Sequence, residues 1–168
     1  MDSGSTEFAG FGYDYDKMGN PLFETRSHDG GKGDVYGYDE AYRLTGALIG
    51  SDDPSNEVSD GVWDDGDEDY VDKVEFNMDD VSNRTSVVTT PDGGQSSTVS
   101  YTSNSLNQYT AIGQANRSHD DNGNLIDDGT CDFSFDYRNN LVEVMEGETV
   151  IMEAECCVAR PRVIHVAG

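Results

Sequence analysis

The chain has 168 residues, 34 acidic and 10 basic, for a formal net charge of −24, a length that suits one domain or one stretch of a repeat array. The balance excludes the clustered Lys and Arg that grip a phosphate backbone or an anionic bilayer, so neither is expected as a partner. Apolar residues make up 35% of the chain, which predicts a thin core, while nine Tyr and six Phe argue for small aromatic-anchored β units over disorder.

Residues 1–10 read as an extension. The start, MDSGSTEF, has neither the basic segment nor the apolar segment of a secretion signal, and no run in the chain reaches the eighteen apolar residues of a membrane helix. From Tyr13 a unit begins that recurs: an aromatic, a spacer, an aromatic, Asp, a short turn often containing Gly-Asn, and an apolar or Arg-led return. The copies are YDYDKMGNPL from Tyr13, YGYDEAYRLTGAL from Tyr36, FNMDDVSNRTSVV from Phe76, YTSNSLNQYTAI from Tyr101, RSHDDNGNLI from Arg117 and FSFDYRNNLVEV from Phe133. The Asp position is held by Asp16, Asp39, Asp79, Asn104, Asp120 and Asp136, at gaps that range from 16 to 40 residues. Such uneven spacing points to insertions between constant units rather than a strict solenoid.

Each unit reads as a β-hairpin. Two aromatics two residues apart lie on one face of a strand. Asp or Asn starts a turn through its own side chain, and Gly19 or Gly123 tolerates positive φ. The anchors are then Tyr13, Tyr15, Tyr36, Tyr38, Phe76, Tyr101, Phe133 and Phe135. The turn residues are Asp16, Gly19, Asn20, Asp39, Asp79, Asn83, Asp120, Gly123, Asn124, Asp136 and Asn140. A lone hairpin is marginal in water, so the rings are expected to face inward and join neighbouring hairpins. Copies one and two span 11–49. The acidic stretch 50–72 is expected as a loop or disordered patch, with Trp63 pinning part of it. Copies three to six span 73–147. The tail 148–168, ETVIMEAECCVARPRVIHVAG, leaves the pattern.

Other chemistry finds little support. The segment from His119 to Thr130 alternates Asp120, Asn122 and Asn124 as a calcium loop does, but Cys131 stands where the closing Glu belongs. Three cysteines, Cys131, Cys156 and Cys157, make no disulfide framework, and with His28, His119 and His165 they give no zinc spacing. There is no nucleophile elbow, phosphate loop or metalloprotease signature, and no pair of carboxylates is singled out for glycoside hydrolysis.

The runs YDYDKMGN, YGYDEAYRL, DDVSNRTSV, HDDNGNLIDDGT and FDYRNNLVEV, with the phrase LNQYTAIG, resemble the YD repeats of bacterial Rhs and wall-associated proteins, Tc-toxin shells and teneurins. The resemblance covers about Phe11 to Val144. It implies an all-β, antiparallel strip of hairpins, part of a β-shell with long acidic loops, that encloses an effector domain or stands at the cell surface. Its partners would be adjacent YD repeats or an encapsulated effector, with surface glycans as a further class, and its location extracellular. The aspartate-dependent self-cleavage motif of complete Rhs cores has no counterpart here. Copy five departs from the pattern, with Arg117 and His119 in place of aromatics. The expectation is therefore a non-enzymatic structural segment without cofactor. The alternatives are a carbohydrate-binding or adhesion module, which needs aromatics exposed in a row, and a truncated gene fragment without independent function.

Overall fold

A computed structural model of the protein describes residues 8–58, 69–155 and 162–164. Strands dominate, in two antiparallel sheets whose strands follow sequence order and which do not close into a barrel. The chain divides into two compact units, Met1–Val99 and Ser100–Gly168.

The first unit holds β1 (Phe11–Tyr15), β2 (Pro21–Arg26), β3 (Gly33–Tyr38), β4 (Leu44–Ser51), β5 (Asp72–Met78) and β6 (Arg84–Pro91), each antiparallel to the next. A single turn of helix, α1 (Pro54–Glu57), follows β4. Proline opens it because its missing N–H costs nothing in a first turn. The second unit takes in most of β7 (Ser97–Ser103), then β8 (Tyr109–Ile112), β9 (Ala115–Asn116), β10 (Ser118–His119), β11 (Leu125–Asp127), β12 (Cys131–Phe135), β13 (Leu141–Glu146), β14 (Thr149–Glu155) and β15 (Arg162–Ile164).

Three expectations change. The segment 50–72 is not all loop: Gly50 and Ser51 finish β4, Pro54–Glu57 is helical, and Asp72 opens β5. Trp63 and residues 59–68 lie outside the described residues. The tail continues the sheet, since β14 pairs with β13 from Glu146↔Thr149 to Glu143↔Glu153; TVIMEAE lacks the aromatic marker of the repeat but can still satisfy a strand ladder.

The third change concerns the core. The most deeply buried apolar side chains among the described residues are aliphatic: Val35, Leu48, Ala47 and Val144. In β3 the buried face is Gly33, Val35 and Gly37, while Tyr36 and Tyr38 stand half-buried on the other. α1 packs near β2 and β3, and Pro54 is itself fully buried. Tyr13 and Tyr15 are 52% and 54% exposed, so they are not buried anchors. They sit on β1, the outermost strand, which has β2 as its one neighbour. Phe76, Tyr101, Phe133 and Phe135 are half-buried; on β12 they alternate with exposed Asp132 and Ser134.

Candidate functional site

The most regular chemistry in the molecule is at the turns. In all six copies the residue at the Asp position, i, closes a five-residue loop with the same bonds. Its backbone N–H donates to the carbonyl of i+4, at 2.9 Å for Asp16, Asp79, Asn104 and Asp136 and 3.0 Å for Asp39 and Asp120. The N–H of i+3 donates back to the carbonyl of i, at 2.9–3.2 Å. One side-chain oxygen of i accepts from the N–H groups of i+2 and i+4. For Asp16 these come from Met18 at 2.8 Å and Asn20 at 2.9 Å, for Asp79 from Val81 and Asn83, and for Asp120 from Asn122 and Asn124. Asp39, Asn104 and Asp136 do the same.

The second side-chain atom of i grips the side chain of i+4. Asn20, Asn83, Asn124 and Asn140 each donate through Nδ2, and Arg43 donates through Nε at 2.7 Å. In the fourth copy the direction reverses: Asn104 Nδ2 donates to Gln108 Oε1 at 2.8 Å. Position i+3 has positive φ in every copy: Gly19 and Gly123, but also Tyr42, Ser82, Asn107 and Asn139. Those four are the only non-glycine residues with positive φ among the described residues. A left-handed residue after a tight turn makes a one-residue bulge. Accordingly, every hairpin shifts register just before its Asp position, and residue i−1 pairs with i+5, as in Tyr15↔Pro21 and Phe135↔Leu141. Uneven spacing in the sequence thus resolves into one turn built six times.

Neighbouring turns are also stitched together. Arg43 Nη1 reaches the next turn, donating to the Asp79 carbonyl at 3.1 Å and Ser82 Oγ at 3.2 Å. In the second unit Asn124 Nδ2 donates to Asn139 Oδ1 at 3.0 Å. Sequence reasoning found the Asp position, all four Asn partners and the left-handed Gly19 and Gly123; it missed Arg43, Gln108 and the left-handed Tyr42, Ser82, Asn107 and Asn139. A constant offset of four from the Asp position was the signal for the first two.

The electrostatics follow the bonds. Carboxylates that accept several N–H bonds are held below their ordinary value. The Asn partner's side-chain amide is the leading cause for Asp16, Asp79, Asp120 and Asp136, and the Arg43 backbone N–H for Asp39. Beside the second turn a cleft is lined by Leu22, Tyr36, Tyr38, Tyr42 and Val58. Burial there pushes the Tyr36 phenol up to about 12. Tyr101 and Tyr109 meet edge to face at 5.4 Å, and the Arg84 guanidinium lies over Phe76 at 5.0 Å. No cluster of three or more His, Cys, Asp or Glu suited to a metal is found among the described residues, and no described helix is long and apolar enough to cross a membrane.

No family model matches the chain. Two curated relatives do, the tRNA3(Ser)-specific nuclease WapA of Bacillus spizizenii and the tRNA nuclease WapA of Bacillus subtilis, each 37% identical over 71 residues. Those residues are 42% of this chain and 3% of either relative, so the chain spans a small part of the length of the curated relatives it matches. Both carry the name of an enzyme, which points to a nuclease and overturns the expectation of a non-enzymatic segment. No nucleophile, phosphate or metalloprotease motif stands in this chain to announce an enzyme.

Proposed function

We propose that this chain is a segment of a larger Rhs-type protein akin to the tRNA nuclease WapA, in which repeated hairpins build a β wall at or outside the cell surface, next to further YD repeats or around an effector domain. Nuclease activity is assigned to that whole protein. One observation carries the reading: six hairpins share one turn, one bulge and one register despite unequal spacing. A chain selected to extend a wall needs each hairpin to present its strands in the same way. The stitching bonds of Arg43 and Asn124 favour the same reading, because they tie the second turn to the third and the fifth to the sixth.

The test is a graft. The matched segment of Bacillus subtilis WapA is replaced by its counterpart here, and soluble full-length protein and tRNA cleavage are measured. The expected result is accumulation and cleavage close to the parent's, with accumulation lost when the grafted Asp turns are changed to Ala. An unrelated β-meander of equal length that serves as well as the graft would refute the proposal.

A second reading has its own support. Phe11, Tyr13 and Tyr15 alternate along β1 and are 56%, 52% and 54% exposed. Such a row suits stacking on the apolar faces of sugar rings. A glycan array in which Tyr13→Ala and Tyr15→Ala abolish a signal seen with the parent would establish it; an array blank for the parent removes it.

A further inference from the structure

The fifth hairpin keeps the shared backbone but not the shared side chains. Positions i−3 and i−1, aromatic in the first, second and sixth copies, are Arg117 and His119. The turn still closes through Asp120 and the bulge still falls between Ser118 and His119. The substitution therefore delivers a guanidinium and an imidazole to places that the frame fixes.

Those side chains line a groove of about 480 Å³ in the second unit, together with Gln108, Thr110 and Asn122. Arg117 Nε is buried and has no hydrogen-bond partner, the one such side-chain nitrogen or oxygen among the described residues. A buried donor left unpaired is costly, more so on a charged group, so the guanidinium as a whole gains from an acceptor beside it. Carboxylates do lie near, and the Arg117 charge acts on Asp128, yet none of them bonds Nε. Asp120 spends its oxygens within its own turn. Asp128 Oδ1 accepts from the N–H groups of Thr130 and Cys131 at 2.9 and 2.8 Å. Gln108 gives its oxygen to Asn104, which leaves its amide nitrogen as a further donor on the groove wall.

We infer that this groove binds a small oxyanion, a carboxylate or a phosphate monoester, between the Arg117 guanidinium and the Gln108 amide nitrogen. A planar pair of oxygens matches the fork of the guanidinium. Asp121 also lines the groove, and its charge disfavours a polyanion and leaves a compact ligand as the fit. The site is independent of the wall-segment reading, since a groove of this kind serves a free ligand and a protein carboxylate alike.

The test uses the full 168-residue chain, 15N-labelled. Sodium acetate and methyl phosphate are titrated at constant ionic strength, against sodium chloride, while the backbone amides of Ser118, Asn122 and Gly123 are followed. A saturable shift is expected with at least one probe, weakened about tenfold or more in Arg117→Gln, as loss of a charge-assisted bond requires. Acetate alone marks a carboxylate site, methyl phosphate alone a phosphoryl site, and both a general oxyanion site. Arg117→Lys keeps the charge without the fork; it carries the test if Arg117→Gln disturbs amides away from the groove. Drift matching sodium chloride with both probes, or undiminished binding by a folded Arg117→Gln or Arg117→Lys protein, overturns the inference.

Discussion

Gly33 offers the sharpest perturbation. It opens β3, buried, and a Cβ added there would lie 1.7 Å from the carbonyl oxygen of Glu24 on β2 and 3.0 Å from Pro54 Cγ of α1. The Glu24 contact is with backbone, so no rotamer relieves it. In Gly33→Ala, β2 and β3 must part until that gap exceeds 3.0 Å. The neighbouring bond from Arg26 N–H to the Lys32 carbonyl, 2.8 Å long, then stretches. The Arg26 guanidinium also loses its place on Asp34. Overpacking costs about 1–3 kcal/mol and each weakened bond adds about 0.5–1.5 kcal/mol, so a loss of about 2–4 kcal/mol is expected. Urea unfolding followed by circular dichroism measures it, read from the midpoint at unchanged slope. Gly33→Ala within about 0.5 kcal/mol of the parent, inside the range of a bland surface change, would refute the close approach of β2 to β3.

Leu48→Ala should cost about 2–5 kcal/mol and Tyr13→Ala under about 1 kcal/mol, since Leu48 is 1% exposed and Tyr13 52%; the same denaturation reads both, and a reversed order returns the core to the rings. At Gly19, with φ of 90° and nothing within 4 Å of an added Cβ, Ala should cost about 1–2 kcal/mol from backbone strain alone, and Asn less. Tyr42→Gly, which relieves the same conformation at φ 60°, should raise the midpoint, and a fall would mean that the Tyr42 ring matters more than its backbone. Acid should separate the turns. Their carboxylates sit below the ordinary value of 3.8, so their contribution is whole above that value and lost as pH falls through the lower folded values. Amide protons of Asn20, Arg43, Asn83, Asn124 and Asn140 should lose protection there, while Gln108, bonded to the neutral Asn104, keeps its own; uniform loss across all six refutes the carboxylate's role.

The turns were legible because their chemistry is local. An Asp at i with Asn at i+4 shows in one dimension, and Gly19 and Gly123 mark the left-handed residue openly. Copies two and four hid the same device, where Arg43 and Gln108 do with other groups what Asn does elsewhere, and in copies two and three Tyr42 and Ser82 adopt a conformation that side chains ordinarily avoid. The core was less legible. Val35 lies just before the residues that catch the eye in YGY, and Ala47 and Leu48 lie in a run, GALIG, with no ring at all. Which face of β3 is buried depends on α1, placed there by tertiary packing from a stretch whose acidity suggested a loop. The half-exposed rings of β1 follow from its place at the sheet's margin, a property of topology that alternation cannot disclose.

Because each loop is closed by five consecutive residues, its shape owes little to how much chain separates it from the next. Duplication or deletion of whole units in the gene, or insertion of new sequence between them, leaves every surviving hairpin with its strands in phase. A lineage can thus lengthen, shorten or ornament such an array by ordinary recombination, and a lone exchange such as Arg117 for an aromatic can trial new chemistry on a frame that tolerates it.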